Sequence, residues 1–223
     1  MKESETFRPF RDRTAAGREL AEHLRKYERP DDVVVLALPR GGVPVGYEIA
    51  RVLGVPLDVV VVRKLGVPGR AELAMGALAT GGLFWIDRHI ASRLEVGQDE
   101  IDAVLARERR ELERRERAYR DLPPPQVHGK VVICVDDGIA TGASIRAAVA
   151  ALRQGAPAKI VVAVPVAAAE VAAELREIAD EVIVSRTPPN FRAVSLWYED
   201  FSQTTDEEVR SLLRLASGDS GKR

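Results

Sequence analysis

The sequence is poor in cysteine and in aromatic residues, and neither sign of charge is in excess. Cys134 is the single cysteine among 223 residues, which excludes an intramolecular disulfide framework and a thiolate-rich zinc site. The 33 basic and 34 acidic residues give a formal net charge of −1, so no global basic field favours nucleic acid. The longest apolar run, residues 160–169, is broken by Pro165 and is too short to cross a bilayer. We therefore expect neither nucleic acid nor a membrane as a partner.

The beginning of the sequence also lacks a hydrophobic stretch. Residues 1–5 are mostly charged and no apolar region precedes the first arginine-rich stretch, so we expect no secretory signal. Together with the single cysteine, this predicts a protein of the reducing cytoplasm.

The sequence does contain a series of continuous apolar segments rich in β-branched residues. They are predicted to be buried strands, at residues 33–38, 57–62, 131–135 and 160–164, with a weaker one at 181–184. Since such runs bury both faces of a strand, they indicate a parallel sheet. Helical patterns alternate with them at residues 45–53, 141–153 and 168–178. The sequence therefore predicts the α/β class, with an open, mostly parallel twisted sheet flanked by helices.

Two further helices are predicted outside this alternation. An N-terminal helix begins at Asp12 or Thr14, either of which can cap it. A long amphipathic helix covers residues 98–120. Its apolar stripe predicts one packed face, and its interleaved acids and arginines predict a solvated, ion-paired back rather than a nucleic-acid surface. We expect a single domain over residues 1–223, with a helical insertion at about 87–122.

The strand at residues 131–135 is followed by two adjacent carboxylates, Asp136 and Asp137, and then by a glycine-punctuated turn and a helix start. Glycine lets backbone amides approach an anion closely, and a helix N-terminus adds oriented N–H donors. The residues predicted to bind a phosphate group in this way are Gly138, Ile139, Ala140, Thr141, Gly142, Ala143 and Ser144. No lysine lies in the turn, so it is not a Walker-type nucleotide loop.

The paired carboxylates indicate the rest of the ligand. Two negative charges do not help to bind a phosphate group, but carboxylates accept hydrogen bonds from vicinal hydroxyl groups. A ribose 5-phosphate therefore fits, with its phosphate in the turn and its 2- and 3-hydroxyls on Asp136 and Asp137.

A second glycine-containing loop closes the first predicted strand. Arg40 supplies a bidentate cation, and Gly41 and Gly42 let the backbone come close, which suits an extended anion. Arg63 and Lys64 end the second predicted strand. We expect their side chains at the same carboxyl edge of the sheet, where either could contact pyrophosphate or a base.

Residues 132–143, with the sequence VICVDDGIATGA, resemble the phosphoribosyl-pyrophosphate (PRPP) binding motif of type I phosphoribosyltransferases. The resemblance implies the fold of that family and a glycosyltransferase reaction of nucleotide metabolism. In that reaction the 5-phosphoribosyl group passes from PRPP to a nitrogen nucleophile, a nucleobase or related heterocycle, and pyrophosphate is released. It also implies Mg²⁺ that is carried by the substrate, held by pyrophosphate oxygens, ribose hydroxyls and waters rather than by a metal site of side chains.

The resemblance assigns roles to the two loops. Asp136 and Asp137 would fix the ribose and stabilise positive charge near its ring, and Arg40 would neutralise the leaving pyrophosphate. These three are the predicted catalytic residues. The peptide bond between Pro39 and Arg40 would be cis. The substrate would also contact Gly41, Gly42, Lys64 and the turn residues from 138 to 144.

A lid and a hood are further implications of the resemblance. A mobile lid would follow the second strand in the stretch 66–77, with Arg70 and Glu72 as its charged candidates, and would exclude water from the reacting centre. A small hood for the base, with contributions from about residues 185–205, would place Trp197 against the heterocycle. Neighbouring hood candidates are Phe191, Tyr198, Glu199, Asp200 and Phe201.

Two alternatives to an active phosphoribosyltransferase stay open from the sequence. A non-catalytic PRPP-sensing regulatory or binding protein would keep the same cradle and lose the chemistry. A phosphosugar-binding α/β enzyme of another reaction class would keep the phosphate turn without needing Arg40. The resemblance also permits a homodimer, for which the helix at 98–120 offers a surface.

Overall fold

The computed structural model describes residues 8–28, 31–119 and 123–219. Its strands are β1 Val33–Ala37, β2 Leu57–Val59, β3 Val62–Val67, β4 Arg70–Ala79, β5 Leu83–Ile86, β6 Val131–Val135, β7 Lys159–Val166 and β8 Glu181–Arg186. Its α-helices are α1 Arg13–His23, α2 Gly42–Leu53, α3 Arg88–Arg93, α4 Gln98–Tyr119, α5 Ala143–Arg153, α6 Ala169–Leu175 and α7 Asp206–Asp219. Short 3₁₀ turns lie at Arg25–Tyr27, Thr80–Gly82 and Val194–Trp197.

Five strands form a parallel sheet in the order β2-β1-β6-β7-β8. This confirms the predicted open α/β sheet flanked by helices. Ala37 at the end of β1 lies opposite Val135 at the end of β6, so the two strands finish at the same level. The loop after β1 and the turn after β6 therefore meet at one carboxyl edge, where ligands bind in folds of this kind.

Helices cover both faces of this sheet. In β1, Val35 and Ala37 pack in one buried cluster with α1 and α2, whereas Val34 and Leu36 pack in another with α5 and α6. Burial on alternate sides explains why the strand is apolar at every position.

The helix boundaries differ modestly from the predicted ones. α1 begins after Asp12, whose Oδ1 accepts a 2.7 Å hydrogen bond from Ala15 N, so Asp12 rather than Thr14 caps this helix. α2 begins at Gly42, three residues before the predicted start, and α5 begins at Ala143 rather than at 141. α6 ends three residues earlier than predicted. In each case the apolar periodicity located the helix but not its ends.

The predicted strand at 57–62 is wrong in part, because it spans two sheets. β2 ends at Val59, and Val62 begins β3, which belongs to an antiparallel sheet of order β3-β4-β5. Arg63 and Lys64 accordingly lie at the start of β3 rather than at the end of a parallel strand. The stretch 66–77 forms the β3–β4 hairpin, not an irregular loop, and its function as a lid stays a prediction.

α3 and α4 follow β5 and cover the region that the sequence predicted as a helical insertion. Ile101, Val104 and Leu112 of α4 are buried, as the apolar stripe predicted, and Glu108 is buried among them. Residues 120–122, at the predicted end of this region, lie outside the described residues. Within the described ranges, no helix combines the length and the apolar character that a membrane crossing requires.

The sequence reasoning did not identify α7. Val209 and Leu213 are buried on its inner face, and the helix packs against α2 and α4. Its first residue, Asp206, is thereby placed beside the loop that follows β1.

Candidate active site

The loop after β1 and the acidic pair after β6 are in direct contact. A Cβ atom added at Gly41 would lie only 2.1 Å from Asp137 Oδ2, so no side chain larger than hydrogen fits there while Asp137 keeps its place. The peptide bond between Pro39 and Arg40 is cis, as the resemblance implied. The two sequence motifs, which are about a hundred residues apart, therefore form one surface.

Asp137 is held by an arginine that the sequence reasoning did not single out. Arg13, the first residue of α1, donates a 2.8 Å hydrogen bond from Nε to the carboxylate oxygen Oδ2, and one of its terminal guanidinium nitrogens forms an ion pair with the same oxygen, also at 2.8 Å. Both side chains are largely buried, with exposed fractions of 11% and 15%. Such charge-assisted pairs are among the stronger hydrogen bonds in proteins.

Asp136 lies in a different electrostatic environment. Burial, together with the neighbouring negative charge of Asp137, raises the pKa of Asp136 to about 8. Its Oδ1 accepts a 2.9 Å hydrogen bond from the backbone N–H of Asp137. Burial also raises the pKa of Asp137, and the guanidinium of Arg13 opposes that rise. The acidic pair therefore resists carrying two negative charges in the absence of a ligand.

The turn after the acidic pair presents free backbone donors. The N–H groups of residues 140–142 have no hydrogen-bond partner within the described parts of the chain, and the first turn of α5 follows them directly. Thr141 and Ser144 are exposed on this turn. Free amides, exposed hydroxyls and a helix N-terminus make a site for a phosphate group.

The other side of the turn is covered by the segment before the last helix. A Cβ added at Gly138 would lie 2.5 Å from a methyl group of Val194, so this glycine lets residues 194–197 close over the turn. Tyr198 donates a hydrogen bond from its hydroxyl to the backbone carbonyl of Asp137 at 2.5 Å. The predicted hood segment therefore contacts the acidic pair directly.

Trp197 belongs to an aromatic cluster rather than standing free above the turn. This cluster consists of Phe10, Phe191, Trp197, Tyr198 and Phe201. Trp197 is half-buried, and its indole N–H has no acceptor among the described residues. Glu199 and Asp200 are exposed beside the cluster. The cluster brings together the aromatic residues that the sequence predicted for the base, whereas the neighbouring Leu196, which is not part of it, is the exposed apolar side chain of this segment.

Arg40 points toward α7. Its guanidinium lies 3.9 Å from Asp206 Oδ1, a long contact that leaves its side chain 36% exposed. Tyr119, at the end of α4, donates a 3.1 Å hydrogen bond to the same oxygen of Asp206. The predicted catalytic cation is therefore exposed at the edge of the site and only loosely paired.

A pocket of about 380 Å³ lies beside Pro39. Lys64 and Arg115 line it together with Tyr119 and Ser144, and no carboxylate lies within 4.0 Å of either cation in the described ranges. Two uncompensated cations beside the loop after β1 suit a polyphosphate group. Lys64 therefore lies beside this loop, and its contact with substrate stays a prediction.

Arg63 lines the same pocket, but unlike Lys64 and Arg115 it is paired with a carboxylate. It donates two hydrogen bonds to Glu108 Oε2, at 2.8 and 2.6 Å. Burial alone would raise the pKa of Glu108, but the hydrogen bonds from Arg63 and Arg107 outweigh it and hold that pKa below its ordinary value. Arg63 thus ties β3 to α4. The lid candidates Arg70 and Glu72 are exposed on the β3–β4 hairpin, away from these contacts.

The sequence reasoning missed several residues that build the site. Arg13, Val194 and Asp206 contact the motifs from the two ends of the chain, and Arg115 reaches the pocket from α4. No local pattern in the sequence singles out Arg13, since the same helix carries a second arginine, Arg18, on its surface. The others follow only from the fold.

These elements define a class of protein, an open parallel α/β fold in which an acidic pair is followed by a turn with free backbone N–H groups. The phosphoribosyl transferase domain model matches residues 11–196. Two Mycobacterium tuberculosis proteins, from strains H37Rv and CDC 1551, are provisionally named phosphoribosyl transferases. Each is 43% identical over 211 residues, covering 94% of this chain and 47% of theirs. The crystal structure of TT1426 from Thermus thermophilus is 44% identical, with a TM-score of 0.82, over 92% of this chain and 97% of that one.

The chain belongs to the phosphoribosyl transferase family. This confirms the resemblance and the fold class that the sequence predicted. The chain spans about half the length of the curated relatives that it matches.

Proposed function

We propose that this chain transfers the 5-phosphoribosyl group of PRPP to a nitrogen atom of a nucleobase or related heterocycle and releases pyrophosphate. The observation that carries the proposal is the contact between Gly41 and Asp137, which joins a cationic loop to an acidic pair at one sheet edge. PRPP has a matching distribution of groups. It carries a phosphate, vicinal hydroxyls and a diphosphate on a single pentose.

Each of the three groups of PRPP would then have its own binding position. The 5-phosphate binds the free amides of residues 140–142 and the hydroxyls of Thr141 and Ser144. The ribose hydroxyls donate to the acidic pair. The diphosphate lies toward Arg40 and the pocket that holds Lys64. Catalysis by such a site consists of positioning and of electrostatic stabilisation of charge on the ribose ring and the leaving group.

The acceptor would approach from the aromatic cluster, opposite the diphosphate. Trp197 is the predicted contact for its ring, and Val194 and the exposed Leu196 supply apolar surface on the same segment. We propose that residues 185–205 act as the hood, that 87–122 are an insertion, and that the chain works as one domain. The cytoplasmic location and the homodimer stay predictions.

The donor set also fits Mg²⁺ that arrives with the substrate. Within the described residues no three histidine, cysteine, aspartate or glutamate side chains gather as a metal site. Asp137 already accepts a hydrogen bond from Arg13 and forms an ion pair with it. Such a site suits a hard cation that takes its oxygens mainly from the diphosphate, the ribose and water. When bound, Mg²⁺ would neutralise diphosphate charge, while Arg40 and Lys64 orient that group.

The test is pyrophosphate release and PRPP binding by the wild type and by Asp137→Asn, with purine, pyrimidine and non-purine acceptors. We expect release with one acceptor class, and a loss of about 100-fold or more in kcat/KM for Asp137→Asn. Asp102→Asn, which alters an exposed carboxylate on α4, is the matched control and should behave as the wild type. Unchanged binding and turnover in Asp137→Asn would refute the ribose role.

The same experiment decides between transferase and sensor. Tight PRPP binding with no pyrophosphate release for any acceptor would favour the non-catalytic PRPP-binding alternative. Competition by ribose 5-phosphate as strong as that of PRPP itself would favour a phosphosugar enzyme of another class, since Arg40 and the pocket would then contribute nothing.

A further inference from the structure

Arg13 makes contacts on two sides. On one side it holds Asp137, and on the other it donates a 2.7 Å hydrogen bond to the backbone carbonyl of Ser202. Its guanidinium carbon also lies 4.0 Å from the centre of the Phe201 ring, a cation–π contact. A single side chain from the start of α1 thus connects the acidic pair to the segment that follows the aromatic cluster.

The geometry of the pair leaves one carboxylate oxygen available. The hydrogen bond and the ion-pair contact from Arg13 both end on Oδ2 of Asp137, the oxygen that lies against Gly41. Arg13 does not use Oδ1. A carboxylate fixed through one oxygen presents the other in a defined direction, which a ribose hydroxyl can use without rearranging the side chain.

We propose that Arg13 is the positioning residue of the ribose site, which rests on the proposed function. It clamps Asp137 through Oδ2, keeps that carboxylate charged and directs Oδ1 to the sugar, while its bond to Ser202 ties this arrangement to the hood segment. Arg13 itself does not contact the substrate.

Electrostatics favour the same role. The groups that face Asp137 are the adjacent Asp136, Arg13 from α1 and the Tyr198 hydroxyl from the hood segment. Of these, Arg13 alone brings a positive charge, and it lowers the pKa of Asp137 against the effect of burial. Without it, the acidic pair would retain its protons to higher pH and would accept ribose hydroxyls poorly.

The test needs no knowledge of the acceptor. The affinity for Mg-PRPP is measured by titration calorimetry between about pH 6 and about pH 9 for the wild type, Arg13→Gln, Arg13→Lys and Arg18→Gln. Arg18 is the matched control, because it lies on the same helix but pairs with Glu48 of α2 rather than with the acidic pair. Glu48 keeps Arg51 as a second partner, at 2.7 Å, when Arg18 is replaced. Thermal unfolding of each variant reports on the fold.

We expect Arg13→Gln to weaken PRPP binding about 10- to 100-fold near neutral pH, with the gap closing as the pH rises. The direction of this pH dependence follows from the lost positive charge, because without Arg13 the Asp137 carboxylate becomes ionised only at higher pH. Arg13→Lys keeps the charge and should restore the pH profile but only part of the affinity. Arg18→Gln should bind within about twofold of the wild type.

Wild-type affinity in Arg13→Gln at every pH, or a loss that is equal at every pH, would overturn the positioning role. If Arg13→Gln does not fold, Arg13→Lys decides: reduced affinity with a wild-type pH profile supports the role, and full affinity overturns it. Absence of PRPP binding by the wild type would instead refute the proposed function, whatever the variants do.

Discussion

The carboxyl edge of the parallel sheet and the antiparallel sheet with α4 are built in different ways. At the carboxyl edge, functional groups come from short contiguous motifs, such as Asp136 and Asp137 followed by the turn, and the glycines leave the backbone open to a ligand. In the antiparallel region, the charged groups Arg63 and Glu108 are 45 residues apart and satisfy each other. The first region has free backbone donors directed outward, whereas in the second the Arg63–Glu108 pair is largely buried between β3 and α4, and Lys64 and Arg115 extend from the same elements to the pocket beside Pro39. Neighbouring charges of the same sign can therefore stabilise the fold or remain free for a ligand.

Gly41→Ala should produce the largest effect on PRPP binding, because it would disrupt the contact between the loop after β1 and the acidic pair. The new methyl group would lie 2.1 Å from Asp137 Oδ2, so either the loop or the acidic pair must move. We expect PRPP affinity to fall by about 100-fold or more, as measured by calorimetry. Gly97→Ala is the control, because its Cβ would meet Glu100 at an ordinary 3.7 Å. Equal affinity of the two variants would show that the loop and the acidic pair do not act together.

Glu108→Ala tests the antiparallel region and should separate stability from binding. Glu108 is buried, and its loss leaves Arg63 without its carboxylate partner. We expect the free energy of unfolding, from urea denaturation, to fall by about 3 kcal/mol, while the folded variant binds PRPP nearly as the wild type does. Glu111→Ala, which removes an exposed partner of Arg114, should change stability by less than about 0.5 kcal/mol. A selective loss of PRPP affinity in Glu108→Ala would place this pair in the site.

Asp136→Asn should show how much the acidic pair lowers the free energy of unfolding of the ligand-free protein. The pKa of Asp136 is raised to about 8, so the folded protein binds a proton that the unfolded chain releases near pH 4, and stability falls as pH rises between these values. The variant should therefore be more stable than the wild type at pH 8, by on the order of 1–3 kcal/mol, with the difference vanishing toward pH 4. Asp180→Asn provides the opposite case. There, hydrogen bonds from Ile160 N and Arg153 outweigh burial and lower the pKa, so its stability deficit should be greatest at neutral pH and disappear in acid. Equal pH slopes for Asp136→Asn and the wild type would contradict the raised pKa.

Trp197→Phe should have the smallest effect. The change removes an indole N–H that has no acceptor in the described structure and keeps a ring in the aromatic cluster. We expect stability to change by less than about 1 kcal/mol, whereas Tyr198→Phe loses its hydrogen bond to the Asp137 carbonyl and should cost about 1 kcal/mol or more. If Trp197 contacts the acceptor, the Trp197→Phe variant raises KM for the acceptor without changing PRPP affinity. Unchanged kinetics would place that contact elsewhere on the segment.

The parallel sheet was predictable because its strands are buried on both faces, so Val33–Ala37 and Val131–Val135 are apolar without interruption. The turn between β6 and α5 was predictable because its glycines and the start of the helix are adjacent in sequence. The antiparallel sheet was not, since β4 is rich in alanine and punctuated by Gly76, and such a strand resembles a loop. Arg13 lies 124 residues from Asp137, and no local pattern relates them.

The most direct measurement is a crystal structure of the protein soaked with Mg-PRPP. The account predicts the 5-phosphate on the amides of residues 140–142, the ribose hydroxyls on Asp136 and on Oδ1 of Asp137, and the diphosphate beside Arg40. PRPP bound with its ribose away from the acidic pair, or with its diphosphate in the turn, would contradict it.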